Sequence, residues 1–131
     1  MRLEHVYMVF SDMAETLRFY QAAFPHWQIR TKGHGEWYGV RRQWIHFGDD
    51  YNYLTFNDNG LNHSRNLKSN DLGVAHLGFE IKNLASLIQR MEVLGYKIAH
   101  TGAEHPYRRN VYYIDPDGAE IEFVEYLSDI P

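Results

Sequence analysis

Leu3 to Phe10 is an alternating run in which Val6, Met8 and Phe10 share one face of a strand and His5, Tyr7 and Val9 the other. The period then changes. Met13, Thr16, Leu17, Tyr20, Ala23 and Phe24 fall at helical spacing behind Ser11 or Asp12 as N-cap. Asp12 and Glu15 form a capping box, and Pro25 ends the run. A second alternating run, Val74 to Ile81, leads into Leu84, Leu87, Ile88, Met91 and Leu94, with Asn83 as cap and Gly95 as stop.

The two passages superimpose: one offset aligns His5 with His76, Met13 with Leu84, Leu17 with Ile88 and Tyr20 with Met91. A slightly shorter offset aligns Trp27-Gln-Ile with Tyr96-Lys-Ile, and Tyr51–Phe56 with Glu120–Glu125, placing Tyr53 on Glu122. Between these segments, Arg41–Asp50 matches Arg108–Asp117 as a third strand. Turns are expected at Lys32–Gly35, Gly48–Asp50, Thr101–Pro106 and Asp115–Gly118. The reading is α+β: two tandem βαβββ modules, 1–60 and 73–131, joined by a polar linker, 61–72, within one domain.

Composition narrows the function. The 131 residues are 44% apolar, enough for a packed core, and lack the long apolar run of a membrane span. The N-terminal residues run directly into strand pattern without a signal-peptide h-region, so a cytoplasmic protein is expected. Without cysteine, any transition metal must be held by imidazole and carboxylate. The net charge of −4 is dispersed, and Arg41–Arg42 and Arg108–Arg109 are isolated pairs, so a nucleic-acid partner is not expected. An aromatic content of 15% suits a small-molecule cavity.

Leu3-Glu-His-Val, Arg18-Phe-Tyr, Val74-Ala-His-Leu-Gly-Phe and, above all, Tyr112-Tyr-Ile-Asp-Pro-Asp-Gly-Ala-Glu-Ile-Glu-Phe-Val-Glu carry a resemblance. In their order and spacing the chain resembles the vicinal oxygen chelate superfamily. That group includes glyoxalase I, extradiol dioxygenases, fosfomycin-resistance transferases and bleomycin-resistance binding proteins. The resemblance implies a curved mixed sheet around a central cleft, with helices on the convex face. It also implies metal ligands from the first and fourth strands of each module, here His5, Tyr53, His76 and Glu122.

The residues themselves support three of those positions. His5 and His76 are equivalent in the repeat, and Ile121 and Phe123 packing toward the helix would turn Glu122 the other way. Two imidazoles and one carboxylate suit a single octahedral divalent ion, Mn, Fe, Ni or Co before Zn, with positions left for substrate. Tyr53 departs from the glyoxalase pattern, because a phenol with pKa near ~10 is a poor substitute for a carboxylate ligand. It is kept, with Tyr112, as a catalytic candidate.

Asn110, which shares the face of Tyr112, is a candidate for binding substrate, as are Arg109 and Tyr7. His100 and His105 read as solvated loop residues. The expectation is a metal-dependent lyase, dioxygenase or transferase that acts on a small oxygen-rich substrate as a homodimer. The competing reading is a metal-free binding protein of the bleomycin-resistance type.

Overall fold

In the computed structural model, which describes residues 1–128, the chain divides into two units, Met1–Asn62 and His63–Pro131. The end of the expected second module, 129–131, lies outside the described residues.

In the first unit β1 (His5–Val9) and α1 (Met13–Ala23) are followed by β2 (Gln28–Trp37), β3 (Val40–Gly48) and β4 (Tyr53–Asn57). The sheet order is β1-β4-β3-β2, with β1 parallel to β4 and the other pairs antiparallel. A parallel pair needs a long crossover, which α1 and the β2–β3 hairpin supply. Asp12 starts α1, its Oδ1 accepting from the Glu15 N–H at 3.0 Å. Phe10, Phe19, Tyr20, Phe47, Leu54 and Phe56 form the core beneath.

The hairpin differs from expectation. β2 runs straight through Lys32–Gly35, and the chain reverses at Tyr38 and Gly39, whose φ values are 52° and 80°. Gly33 has a different use: a Cβ there would meet the Trp44 ring at 2.6 Å, so the glycine lets the indole lie across the strand. A register shift between Ile29 and Thr31 leaves Arg30 outside the pairing.

The second unit repeats the plan with β5 (Leu77–Glu80), α2 (Leu84–Val93), β6 (His100–Thr101), β7 (Arg108–Ile114) and β8 (Glu120–Tyr126), ordered β5-β8-β7-β6. Leu84, Leu87, Met91, Val111, Tyr113, Ile121 and Phe123 are its buried core. Gly95, at φ 86°, follows the helix. From His63 onward the expected linker belongs to this unit. Ser64 Oγ donates to the Asp117 carbonyl, and Arg65 donates to the carbonyls of Asp71 (2.8 Å) and Ser69 (3.1 Å). The fold is α+β, one helix and one four-stranded mixed sheet per unit.

Glu125 ties α2 to its sheet, accepting from the Asn83 N–H at 2.9 Å and from Arg109 Nη2 at 2.8 Å. The hydrogen bond from Arg109 holds its carboxyl below the usual range, against the opposing effect of burial. The stability this supplies is present above the unfolded carboxylate pKa, near ~4.3, and is lost as pH falls through the lower folded value. Glu125→Gln is expected to cost about 1–2 kcal/mol at neutral pH. In denaturant titrations its deficit against the parent should shrink as the buffer is taken below the carboxylate range.

Candidate functional site

Period-two alternation sends Ile121 and Phe123 of β8 into the core and presents Glu120 and Glu122 on the face away from α2. β7 adds Asn110 and Tyr112, β6 adds His100, and His76 immediately precedes β5. His76 Nε2 lies 3.1 Å from Glu122 Oε2. The other oxygen of Glu122 accepts from Asn110 Nδ2 at 2.9 Å. A Cβ on Gly102 would run into the Asn110 amide, so the glycine makes room for that partner.

A second carboxylate extends the cluster. Glu120 Oε1 is 3.8 Å from His76 Nδ1, and its Oε2 is 3.7 Å from His100 Nε2. Tyr112 sits among them, stacked on His100 at 4.1 Å between ring centroids and edge-on to His76 at 5.4 Å. Burial first, then the charges of Glu122 and Glu120, push the Tyr112 phenol up, so it keeps its proton at neutral pH. His100, expected on a loop, is thus a strand residue facing this cluster.

His76 and Glu122, at hydrogen-bond distance from each other, are the side chains of this cluster that could hold a divalent ion. Two cis ligands each about 2.1 Å from an octahedral ion lie roughly 3 Å apart, which is the observed spacing. The Asn110 amide fixes one carboxylate oxygen and leaves the other facing His76. Among the described residues, no three His, Asp or Glu side chains are grouped so that they could hold a metal ion.

In the first unit the corresponding face carries an aromatic stack. The His5 and Tyr53 rings are 4.8 Å apart, Tyr53 and His46 are again 4.8 Å apart, and the Arg30 guanidinium lies 4.4 Å from the Tyr53 centroid. Glu4 Oε1 faces His5 Nδ1 at 2.9 Å and accepts from the Tyr53 hydroxyl at 3.3 Å. Desolvation, then the charges of Arg30 and His5, lower the pKa of His46, favouring its neutral form. Tyr7 meets Trp37 edge-on at 5.4 Å, and Arg42 lies over Trp37 at 4.8 Å. Arg42 Nε and Nη1 are buried without a hydrogen-bond partner among the described residues, a state that costs about 1–3 kcal/mol.

Strand register corrects the repeat alignment. Tyr53 pairs with Gly48 where the β3–β4 hairpin closes, and Glu120 pairs with Ile114 at the matching point of β7–β8. Likewise Tyr7 faces Thr55 as Gly78 faces Glu122. Tyr53 therefore stands where the second unit has Glu120, and Thr55 stands where it has Glu122.

Arg109, grouped with Asn110 on sequence, alternates to the opposite face and is engaged by Glu125. Glu120, His46 and Arg30 were not singled out in the sequence, and Arg42 was read there only as half of an isolated basic pair. The alternation Arg42-Gln-Trp-Ile-His already places Arg42, Trp44 and His46 on one face of β3.

A chain from Frankia sp. EAN1pec described as a glyoxylase/bleomycin resistance protein/dioxygenase domain superimposes with TM-score 0.78 at 18% identity, over 100% of this chain and 95% of that one. The genomically encoded fosfomycin resistance protein FosX of Listeria monocytogenes gives 0.73 at 16% identity, over 98% and 94%. The same protein complexed with Mn(II) and sulfate gives 0.67 at 17%, over 95% and 91%. No curated protein matches the sequence. The family model for the Glyoxalase/Bleomycin resistance protein/Dioxygenase superfamily matches residues 2–123, and the chain belongs to that superfamily.

Proposed function

We propose that this chain is a divalent-metal-dependent enzyme acting on a small oxygen-rich substrate, with His76 and Glu122 as ligands and His5, the equivalent of His76 in the sequence repeat, as the expected third. The observation that carries the reading is the His76–Glu122 pair at 3.1 Å, with Asn110 holding the second carboxylate oxygen. When bound, the ion supplies Lewis acidity to vicinal substrate oxygens. Mn(II), found in one structural relative, is the first ion to test, with Fe, Ni and Co next.

The surrounding side chains have separable tasks. Asn110 orients Glu122, and Glu120 lies beside the far nitrogen of His76. The Tyr112 hydroxyl is a protonated donor on the same face, suited to a substrate oxygen that gains negative charge. Tyr53, hydrogen-bonded to Glu4, is read as a wall or proton-handling group rather than a ligand.

The alternative is a metal-free small-molecule binding protein, favoured by the two Arg42 nitrogens without a hydrogen-bond partner among the described residues and by the exposed aromatic residues of the first sheet. Calorimetric titration of chelator-treated protein with Mn(II) separates the two. Asn110→Ala is expected to lower affinity by about 10–100-fold, the usual effect of losing a ligand's hydrogen-bond partner. Absence of heat for the parent protein would favour the metal-free reading.

We also propose a homodimer, because each sheet ends in edge strands, β1 and β2 or β5 and β6, that a partner copy could cover. Light scattering at micromolar concentration should give twice the chain mass; a monomer would contradict it.

A further inference from the structure

On the open face of the first sheet, two guanidinium groups, Arg30 and Arg42, lie on aromatic rings, while the neighbouring carboxylate of Glu4 is engaged by His5 and Tyr53. Arg42 rests on the plane of Trp37, which leaves its N–H groups to find partners at the edge. Two of its nitrogens are shielded and have no hydrogen-bond partner among the described residues. Buried charged donors are almost always satisfied, so a group without a partner calls for one.

The rings beside Arg42 are unusually open. Trp37 is 39% exposed, Tyr7 48%, and Tyr38 at the hairpin tip 88%, the last held at a positive φ that a tyrosine rarely adopts. The Tyr38 ring lies 5.3 Å from that of Trp37. We propose that this face binds a small aromatic carboxylate, its anionic group on Arg42 and its ring against Trp37 and Tyr7.

The planar guanidinium edge matches a planar carboxylate, and an aromatic ligand gains area and ring–ring contacts from three neighbouring aromatic side chains. Arg30, over Tyr53, adds a second positive charge to the same face. The inference rests on the reading above only for its link to turnover, since the binding itself requires no metal.

The test uses full-length protein stripped of metal by chelation, isotope-labelled, and titrated with benzoate while the indole N–H resonances are followed. Those of Trp37 and Trp44 should shift saturably, and Trp27, whose indole donates to Asp49, should stay still. Arg42→Gln should weaken benzoate by at least about 10-fold, the usual worth of a charge-assisted contact, whereas Arg41→Gln should leave it unchanged.

Arg42→Met should abolish the shifts while raising Tm by about 2–5 °C, because the unpaired donors are gone. Damage to the fold would instead lower Tm. Absence of saturable shifts at Trp37 would overturn the proposal, as would inorganic phosphate or cyclohexanecarboxylate binding as tightly as benzoate. Benzoate binding by a protein that takes up no Mn(II) would leave this inference intact and defeat only the metal reading.

Discussion

Glu122→Gln is expected to weaken Mn(II) binding by more than about 100-fold, beyond the effect of losing a ligand's hydrogen-bond partner. Glu122 is the only anionic member of the proposed ligand set. A glutamine in its place removes the charge and can turn an amide nitrogen, a donor, toward the ion. The geometry sharpens the expectation. Asn110 Nδ2 already donates to one oxygen of Glu122, so the introduced amide gains most by keeping its carbonyl toward Asn110 and its NH2 toward His76. Tyr53→Phe is the control. It removes only a hydroxyl bonded to Glu4 and should leave metal affinity close to that of the parent. Titrating Mn(II) into the three proteins checks both; equal affinity for Glu122→Gln and the parent would remove Glu122 from the site.

Phe56→Ala should be the most damaging single change to the first unit, costing about 3–5 kcal/mol. Phe56 is fully buried on β4, with Phe10, Tyr20 and Phe47 at 5.1, 5.2 and 5.9 Å between centroids. Its ring joins the end of β1, the helix and the third strand. The cavity left by its removal is walled by other rings, which cannot collapse into it without leaving their own rotamers. Because domains are commonly stable by only about 5–15 kcal/mol, this loss should appear as a large fall in the denaturant midpoint. A shift corresponding to less than about 1 kcal/mol would mean that the core packing described for this unit is wrong.

Much of this architecture was legible because both helices announce themselves. Asp12 and Asn83 are capping residues directly ahead of an apolar stripe, and their side chains accept from the Glu15 and Ser86 N–H groups as such residues should. Alternation along β1 and β8 also told which residues face away from the helix, including Glu122.

What alternation does not carry is register, because sliding a strand by two residues preserves every face. The repeat therefore put Tyr53 on Glu122, whereas hairpin closure puts Tyr53 on Glu120. Glycine misled in the same way: Gly33 and Gly35 looked like a turn, yet Gly33 serves a close approach of Trp44, and the reversal occurs at Tyr38–Gly39. Arg109 and Asn110 are neighbours in sequence but point to opposite faces, so only one of them joins the cluster around Glu122.

The central proposal is that this chain holds one divalent ion with His76 and Glu122 among its ligands. Its most direct test is elemental analysis of protein purified without chelator, alongside His76→Ala prepared identically. The account predicts close to one equivalent of Mn, Fe, Ni or Co per chain in the parent and little in the variant. A parent protein that contains no metal, and takes up none when Mn(II) is supplied, would contradict it.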